Sequence, residues 1–146
     1  MGAVLGIDVG AKTLGLAISD DSASVALPLR TVTRRGLRRD LDALAEVVET
    51  RGVRRAVVGW PLNLDGSPGA MDEEAEVVRA KLAERCGIVV DRYDERMSTV
   101  AAERVLIEAD VSRKRRKKVV DKLAATLILQ SYLDRLAFER RENGKP

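Results

Sequence analysis

The chain of 146 residues contains no histidine and one cysteine, Cys86. Without histidine, Ser-His and Cys-His nucleophilic mechanisms and imidazole-ligated zinc are excluded, and a lone thiolate cannot build a zinc site. A single cysteine also forbids an intrachain disulfide, and Cys86 is expected to be a free, at least half-buried thiol. Aromatic residues are scarce: Trp60, Tyr93, Tyr132 and Phe138 complete the set. Base-stacking platforms are therefore not expected to dominate a nucleic-acid contact. No apolar run approaches the roughly 20 residues that cross a bilayer. The first residues lack the basic, apolar and small-residue order of a leader peptide, so the expectation is a cytoplasmic protein with no membrane partner.

The length suits one domain with a real core, able to bury about 68–70% of its unfolded surface. The expected domain spans residues 1–140, with 141–146 as a flexible tail. Strands are expected at Ala3–Val9, Leu14–Ser19 and Val25–Val32, the third carrying Pro28, which suits an edge position. Leu37, Leu41, Leu44, Val47 and Val48 fall at helical spacing, giving a helix from Leu37 to Thr50 that stops at Gly52. A short strand, Arg54–Gly59, precedes a loop of turn formers from Trp60 to Gly69. A second helix to about Arg85, a strand Ile88–Tyr93, a short helix from Ser98 or Thr99 to Ala109 and a long helix from about Arg115 to Arg140 follow. Three strands in hairpin order and then α-β-α-β-α units imply an α/β fold. Its mixed sheet should be antiparallel early and parallel late, with helices on both faces.

Three acids stand out on this frame. Asp8 closes the apolar run Val4-Leu5-Gly6-Ile7, where a carboxylate is costly unless a metal or cation compensates it. In the strand after it, Gly15, Ala17 and Ser19 form one face of small residues, which lets something approach the backbone closely. Asp121 shares a helical stripe with Ala125, Ile128 and Tyr132, so it lies on or beside the packed side. It is either a metal ligand aimed at the sheet or an acid stabilising a helix start. Asp94 and Glu95 sit where a parallel strand runs out, the usual place for a site in α/β folds. Alternation alone decides weakly between them, and either could simply pair with Arg96 on the surface.

The net charge of +3 hides an uneven distribution. Arg113-Lys114-Arg115-Arg116-Lys117-Lys118 is a solid basic block and Arg34-Arg35-Gly36-Leu37-Arg38-Arg39 a second. The second reads as the solvated start of a helix; the first reads as a solvated cap or a phosphate track.

Four segments in order, Gly6-Ile7-Asp8-Val9-Gly10, Val58-Gly59-Trp60-Pro61-Leu62-Asn63-Leu64-Asp65-Gly66, Asp94-Glu95-Arg96-Met97-Ser98-Thr99 and Val120-Asp121-Lys122-Leu123-Ala124-Ala125, resemble the YqgF/RuvX family. Ile128-Leu129-Gln130-Ser131-Tyr132-Leu133 extends the last of them. The resemblance covers nearly the whole chain. It implies a ribonuclease H-like fold and a nuclease that matures the 5′ end of pre-16S ribosomal RNA, with Holliday junction resolution as the alternative. It carries over Asp8, Glu95 and Asp121 as the catalytic and metal-binding acids. Trp60 departs from the family's more usual aliphatic residue, and Met97-Ser98 from Leu-Thr; neither touches the acids.

The chemistry of the residues agrees. Oxygen-only ligands select Mg²⁺ or Mn²⁺ over zinc or copper. Crowded carboxylates repel, and a divalent cation among them keeps all three ionised. Phosphodiester hydrolysis by two metals about 3.5–4 Å apart needs neither histidine nor cysteine. In this scheme Asp8 bridges the metals, and Glu95 and Asp121 each complete one sphere. Arg113, Arg115, Arg116 and Lys117 precede the helix carrying Asp121 and are the expected phosphate contacts. Lys12 in the turn after Asp8, Arg96, and Asn63 in the Pro-Leu-Asn loop are further nucleic-acid candidates, although Asn63 serves equally well as a turn stabiliser. The expected partner is structured RNA or branched DNA, and the expected state a monomer or weak homodimer. Two other functions compete. Asp8 to Gly15 also looks like the first phosphate loop of the actin and sugar-kinase ATPases, and a non-catalytic assembly factor would account for the basic block but not for the acids.

Overall fold

Leu5, Ile7 and Val9 alternate with Val4, Gly6 and Asp8, and the strand sends these two sets to opposite faces of a sheet. In the computed structural model, residues 2–60, 69, 71–94 and 113–143 are described, the side chains of 113–122 and 143 excepted. Strands β1 (Ala3–Val9), β2 (Thr13–Ser19) and β3 (Ala26–Thr33) lead into helix α1 (Leu37–Thr50). Strand β4 (Val53–Trp60), helix α2 (Asp72–Cys86), strand β5 (Val89–Asp94) and helix α3 (Arg113–Asn143) follow. The five strands lie in the order β3-β2-β1-β4-β5. β1 is antiparallel to β2 and β2 to β3, whereas β1–β4 and β4–β5 are parallel, as the sequence implied.

Pro28 lies on the β3 edge, where its missing N–H breaks no central ladder. The β2–β3 register slips there: Leu16 faces Arg30 and Ala17 faces Pro28, leaving Leu29 as the extra residue. Helix α1 has the expected bounds, and Gly52 after it takes the left-handed φ of 62° that favours glycine. Helix α3 begins at Arg113 and is still helical at Asn143, inside the segment read from sequence as a tail. The short helix expected over Ser98–Ala109 and the Pro61–Pro68 part of the turn-rich loop lie outside the described residues. Among the described residues, no helix is long and apolar enough to cross a membrane.

The two faces are filled differently. On one, Leu5, Ile7, Val9, Leu14, Leu16, Val58 and Trp60 pack against Leu41, Leu44, Val47 and Val48 of α1 and Ala75, Val78 and Leu82 of α2. Each fully buried Leu, Ile or Val contributes about 1.5–3 kcal/mol, so this layer is a major source of stability. On the other face, α3 lies on Val4, Ala17, Val57 and Tyr93 through Ala125, Ile128, Leu129, Tyr132 and Leu133. Glycines let it come close. A Cβ at Gly6 would sit 2.8 Å from the Leu129 Cβ, and one at Gly59 would overlap the end of Ile128.

Two polar groups fasten this second layer. The Tyr132 hydroxyl donates to Asp91 on β5, and its ring meets Tyr93 edge-on at 6.5 Å. Burial and the Asp91 carboxylate both push the Tyr132 hydroxyl's pKa well up, so it stays a donor at any working pH. Gln130 accepts from the Ala26 N–H at 2.9 Å and donates to the Ser24 carbonyl at 3.0 Å, tying the β2–β3 turn to α3. Trp60, the departure from the family pattern, is 2% exposed. Its indole N–H donates to Asp72 at the start of α2, and Arg92 stacks on its ring at 4.7 Å. The tryptophan is therefore a core residue whose N–H is satisfied and whose ring face is covered.

Candidate active site

Asp8 is the penultimate residue of β1 and is only 6% exposed. Alternation puts it on the α3 face with Val4 and Gly6. Its register partner on β2 is Gly15. On the other side, Ile7 pairs with Val58, so Gly59 follows beside Asp8 on β4. The acid is thus flanked by glycine on both neighbouring strands, at the edge where the parallel strands end. A buried carboxylate is costly unless hydrogen bonds or an opposite charge compensate it.

Gly15, Ala17 and Ser19, the small-residue face of β2, are expected to admit something close to the backbone, and Ala17 packs under α3. The close neighbour is α3 itself: Ala125 and Leu129 over Gly6, and Ile128 over Gly59. The helix runs antiparallel to β1 and β4, because Tyr132 meets Arg55 at 3.5 Å near the start of β4 whereas Ile128 meets Gly59 near its end. The Ala125, Ile128 and Tyr132 stripe is buried, as the sequence spacing required. Asp121 belongs to that stripe one turn nearer the helix start, towards the edge that holds Asp8. Its side chain lies outside the described residues, as do Glu95, Arg96, Asn63 and the side chains of Arg113, Arg115, Arg116 and Lys117. Among the described residues no cluster of three or more His, Cys, Asp or Glu forms a metal-binding group.

Asp94 pairs with Trp60 in the parallel β4–β5 register. Trp60 packs in the α1/α2 layer, so Asp94 belongs to that face, opposite Asp8. Tyr93, one residue earlier, is buried under α3 on the Asp8 face.

Lys12 is exposed in the turn between β1 and β2, where a phosphate could reach it. The second basic block divides. Arg35, Arg38 and Arg39 are exposed as expected, but Arg34 is not a solvated residue. Its Nε donates to Asp40 at 3.1 Å and one Nη to the Gly10 carbonyl at 3.0 Å, and it also pairs with Glu74 of α2. Burial works against its charge, but the bonds from Glu74 and Asp40 outweigh that and hold the Arg34 pKa above the ordinary arginine value. Asp40 is 1% exposed and also accepts from the Arg35 N–H at 2.9 Å. The sequence did carry a signal for this: Asp40 lies on the apolar α1 stripe, four residues before Leu44, just as Asp121 lies on that of α3. Cys86 is half-buried against the α1/α2 layer, and burial pushes its thiol pKa up.

Known proteins resemble this chain in sequence or in fold. A relative from Moorella thermoacetica, named "Putative pre-16S rRNA nuclease", is 50% identical over 91% of this chain and 95% of its own length. One of the same name from Geobacillus kaustophilus is 50% identical over 89% of this chain and 96% of its own. Among solved structures, Thermus thermophilus RuvC in complex with a Holliday junction substrate aligns over 94% of this chain and 97% of its own, with a TM-score of 0.60 and 17% identity. The yeast mitochondrial Holliday junction resolvase Ydc2 aligns over 92% of this chain and 78% of its own, with a TM-score of 0.51 and 15% identity. These likenesses make the fold ribonuclease H-like. With the sheet order, the acid at the end of β1 and a family model described as "RuvX: Holliday junction resolvase" matching residues 2–135, the chain belongs to the RuvX family.

Proposed function

We propose that this protein is a divalent-cation-dependent nuclease that hydrolyses phosphodiesters in structured RNA, trimming the 5′ end of pre-16S ribosomal RNA in the cytoplasm. The observation that carries this reading is the buried Asp8 on the α3 face, at the sheet edge towards which the Asp121 stripe runs. The names of the relatives supply the substrate.

Nucleases of this fold generally use divalent metals. The donors here fit that use: a chain without histidine offers carboxylate oxygens, which suit Mg²⁺ or Mn²⁺. Asp8, Glu95 and Asp121 would hold the cations, and the position of Asp94 on the opposite face favours Glu95 as the strand-end ligand. When bound, the cations acidify an attacking water and stabilise the leaving oxygen. The protein's own part is to hold carboxylates from two strand ends and one helix at a single edge and to keep that edge partly dry. Arg113, Arg115, Arg116 and Lys117 precede Asp121 on α3 and would draw the phosphate chain along the helix to the acids, with Lys12, Arg96 and Asn63 as further contacts.

A second reading, Holliday junction resolution, is favoured by the description of the family model. Cutting two strands symmetrically requires paired active sites, so this reading also requires two copies of the chain on one junction. The deciding experiment compares labelled pre-16S precursor with a four-way DNA junction, each in Mg²⁺, Mn²⁺ or EDTA. Cation-dependent trimming of the precursor supports the RNA reading; symmetric junction cleavage by a dimer replaces it; no cleavage of either refutes both. Replacing Arg115, Arg116 and Lys117 with Ala should flatten the slope of log affinity against log salt by roughly 0.7–0.9 for each phosphate that is no longer neutralised. An unchanged slope would return the block to a solvated helix start.

A further inference from the structure

Asp8 is only as well placed as the turn that follows it. Gly10 to Thr13 closes the β1–β2 hairpin, with the Gly10 N–H donating to the Thr13 carbonyl at 2.9 Å. Arg34 grips this turn on both arms. Its backbone N–H donates to the Lys12 carbonyl at 2.8 Å, and its guanidinium donates to the Gly10 carbonyl at 3.0 Å. Ala11, at the tip, borders a cleft of about 510 Å³ that Arg34, Asp40 and Glu74 also line. Arg34 therefore holds both arms of the turn from a fixed base. That base is the buried Asp40, which takes the Arg34 Nε on one oxygen and the Arg35 N–H on the other. Glu74 adds an anchor from α2.

We infer that Arg34 is a positioning residue: held by Asp40 and Glu74, it fixes the Gly10–Lys12 turn and so the placement of Asp8 at the sheet edge. The inference rests on the metal-nuclease reading for its consequence, but the clamp itself is a property of the turn. It also redefines the second basic block. Arg34 has its Nε and one Nη engaged by protein, whereas the exposed Arg35, Arg38 and Arg39 take no part in the guanidinium clamp. A planar guanidinium is required, because one group must meet a carboxylate through Nε and a carbonyl through Nη at the same time. An ammonium can keep the charge beside Asp40 but cannot hold both contacts in that fixed fork.

Arg34→Lys separates these functions. It should fold and melt close to the wild type, since Asp40 keeps a cationic partner. The amides of Gly10 and Thr13 should exchange with deuterium faster, while those of α3 stay protected. Mn²⁺ alone, followed by electron paramagnetic resonance without nucleic acid, should bind about tenfold more weakly, the low end for groups that orient ligands. Cleavage should lose kcat at fixed Mn²⁺ and regain it at higher Mn²⁺, with KM for nucleic acid little changed. Asp40→Asn, which puts an amide N–H against the Arg34 Nε in one flip state and loses the charge in both, should move the same readouts in the same direction. Unchanged turn exchange in both variants overturns the inference and leaves Arg34 an anchor for α1. A flattened salt slope with unchanged Mn²⁺ affinity also overturns it, by making Arg34 a phosphate contact. If the wild type binds no Mn²⁺, the nuclease reading fails by itself, and the exchange data still judge the clamp.

Discussion

The two faces of the sheet follow opposite rules. The face under α1 and α2 is built from large aliphatic side chains and a tryptophan, and its contribution is burial. The face under α3 has Gly6, Ala17 and Gly59 where the first has Ile7, Leu16 and Val58, and there the backbone of α3 comes close to the strands. Asp8 belongs to the second face. On the proposed nuclease reading, that face gives a carboxylate room for partners and a helix close by. The strand's period of two thus separates a face of large aliphatic residues from the face that carries Asp8.

The largest effect that could break this division is on activity. Asp8→Asn is nearly isosteric and should leave the melting temperature close to the wild type while lowering cleavage by several orders of magnitude. Glu95→Gln should do the same and weaken Mn²⁺ binding, whereas Asp94→Asn, on the opposite face, should retain most activity. The reverse ranking of residues 94 and 95 would mean that the face assignment does not govern the site.

Adjacent residues test the packing rule next. Ile7→Ala removes a fully buried side chain from the α1/α2 layer and should cost about 2–5 kcal/mol in a denaturant titration. Gly6→Ala adds one methyl group on the other face, 2.8 Å from Leu129 Cβ and 3.1 Å from the Ala125 carbonyl oxygen, and should cost about 1–3 kcal/mol through overpacking. It should also lower activity more than its stability loss accounts for, because α3 carries Asp121. A neutral or stabilising Gly6→Ala would show that the close approach of α3 is not needed.

The smallest effect is at the β2–β3 turn, which α3 steadies through Gln130. Asp20 accepts from the Ser22 hydroxyl and from the Val25 and Ser24 N–H groups, which lower its pKa to about 2. A carboxylate with a depressed folded-state pKa stabilises above its unfolded value, and that contribution fades as pH falls from about 4 towards 2. The Ser24 and Val25 amide resonances should titrate in that window with little change at the Asp8 edge. In Asp20→Asn the step should vanish. A titration near pH 4 instead would mean that these bonds are not held in solution.

Much of the fold could be read from local pattern. The period-two runs of β1 and β2 and the stripe of α1 are strong because each residue's burial repeats within a few neighbours, and Pro28 marked its own edge by lacking a donor. Asp8 and Asp121 stood out as acids on apolar stripes. The same test applied to Asp40 would have marked it as a buried acid in need of a partner, but the run of arginines around it read as a solvated cluster. Asp94 and Glu95 could not be separated from one strand alone, since a strand has two faces and the sequence does not say which is which. The register pairs Asp94 with Trp60, and Glu95 lies outside the described residues.

What the sequence determined by itself is therefore the set of elements, the α/β class, and the residue types capable of the chemistry: carboxylates and bases without histidine or a cysteine pair. These follow from short-range periodicity and from the side chains' intrinsic ligand preferences. What only the tertiary structure decided is which face holds Asp8 and which distant residues meet around it. Gly6 and Gly59 make room for Leu129 and Ile128, and Arg34 reaches Gly10 and Glu74, across separations in sequence that no local pattern spans. Those partners are chosen by the docking of α3 and α2 on opposite faces of the sheet, and docking is settled by shape and burial summed over the whole domain.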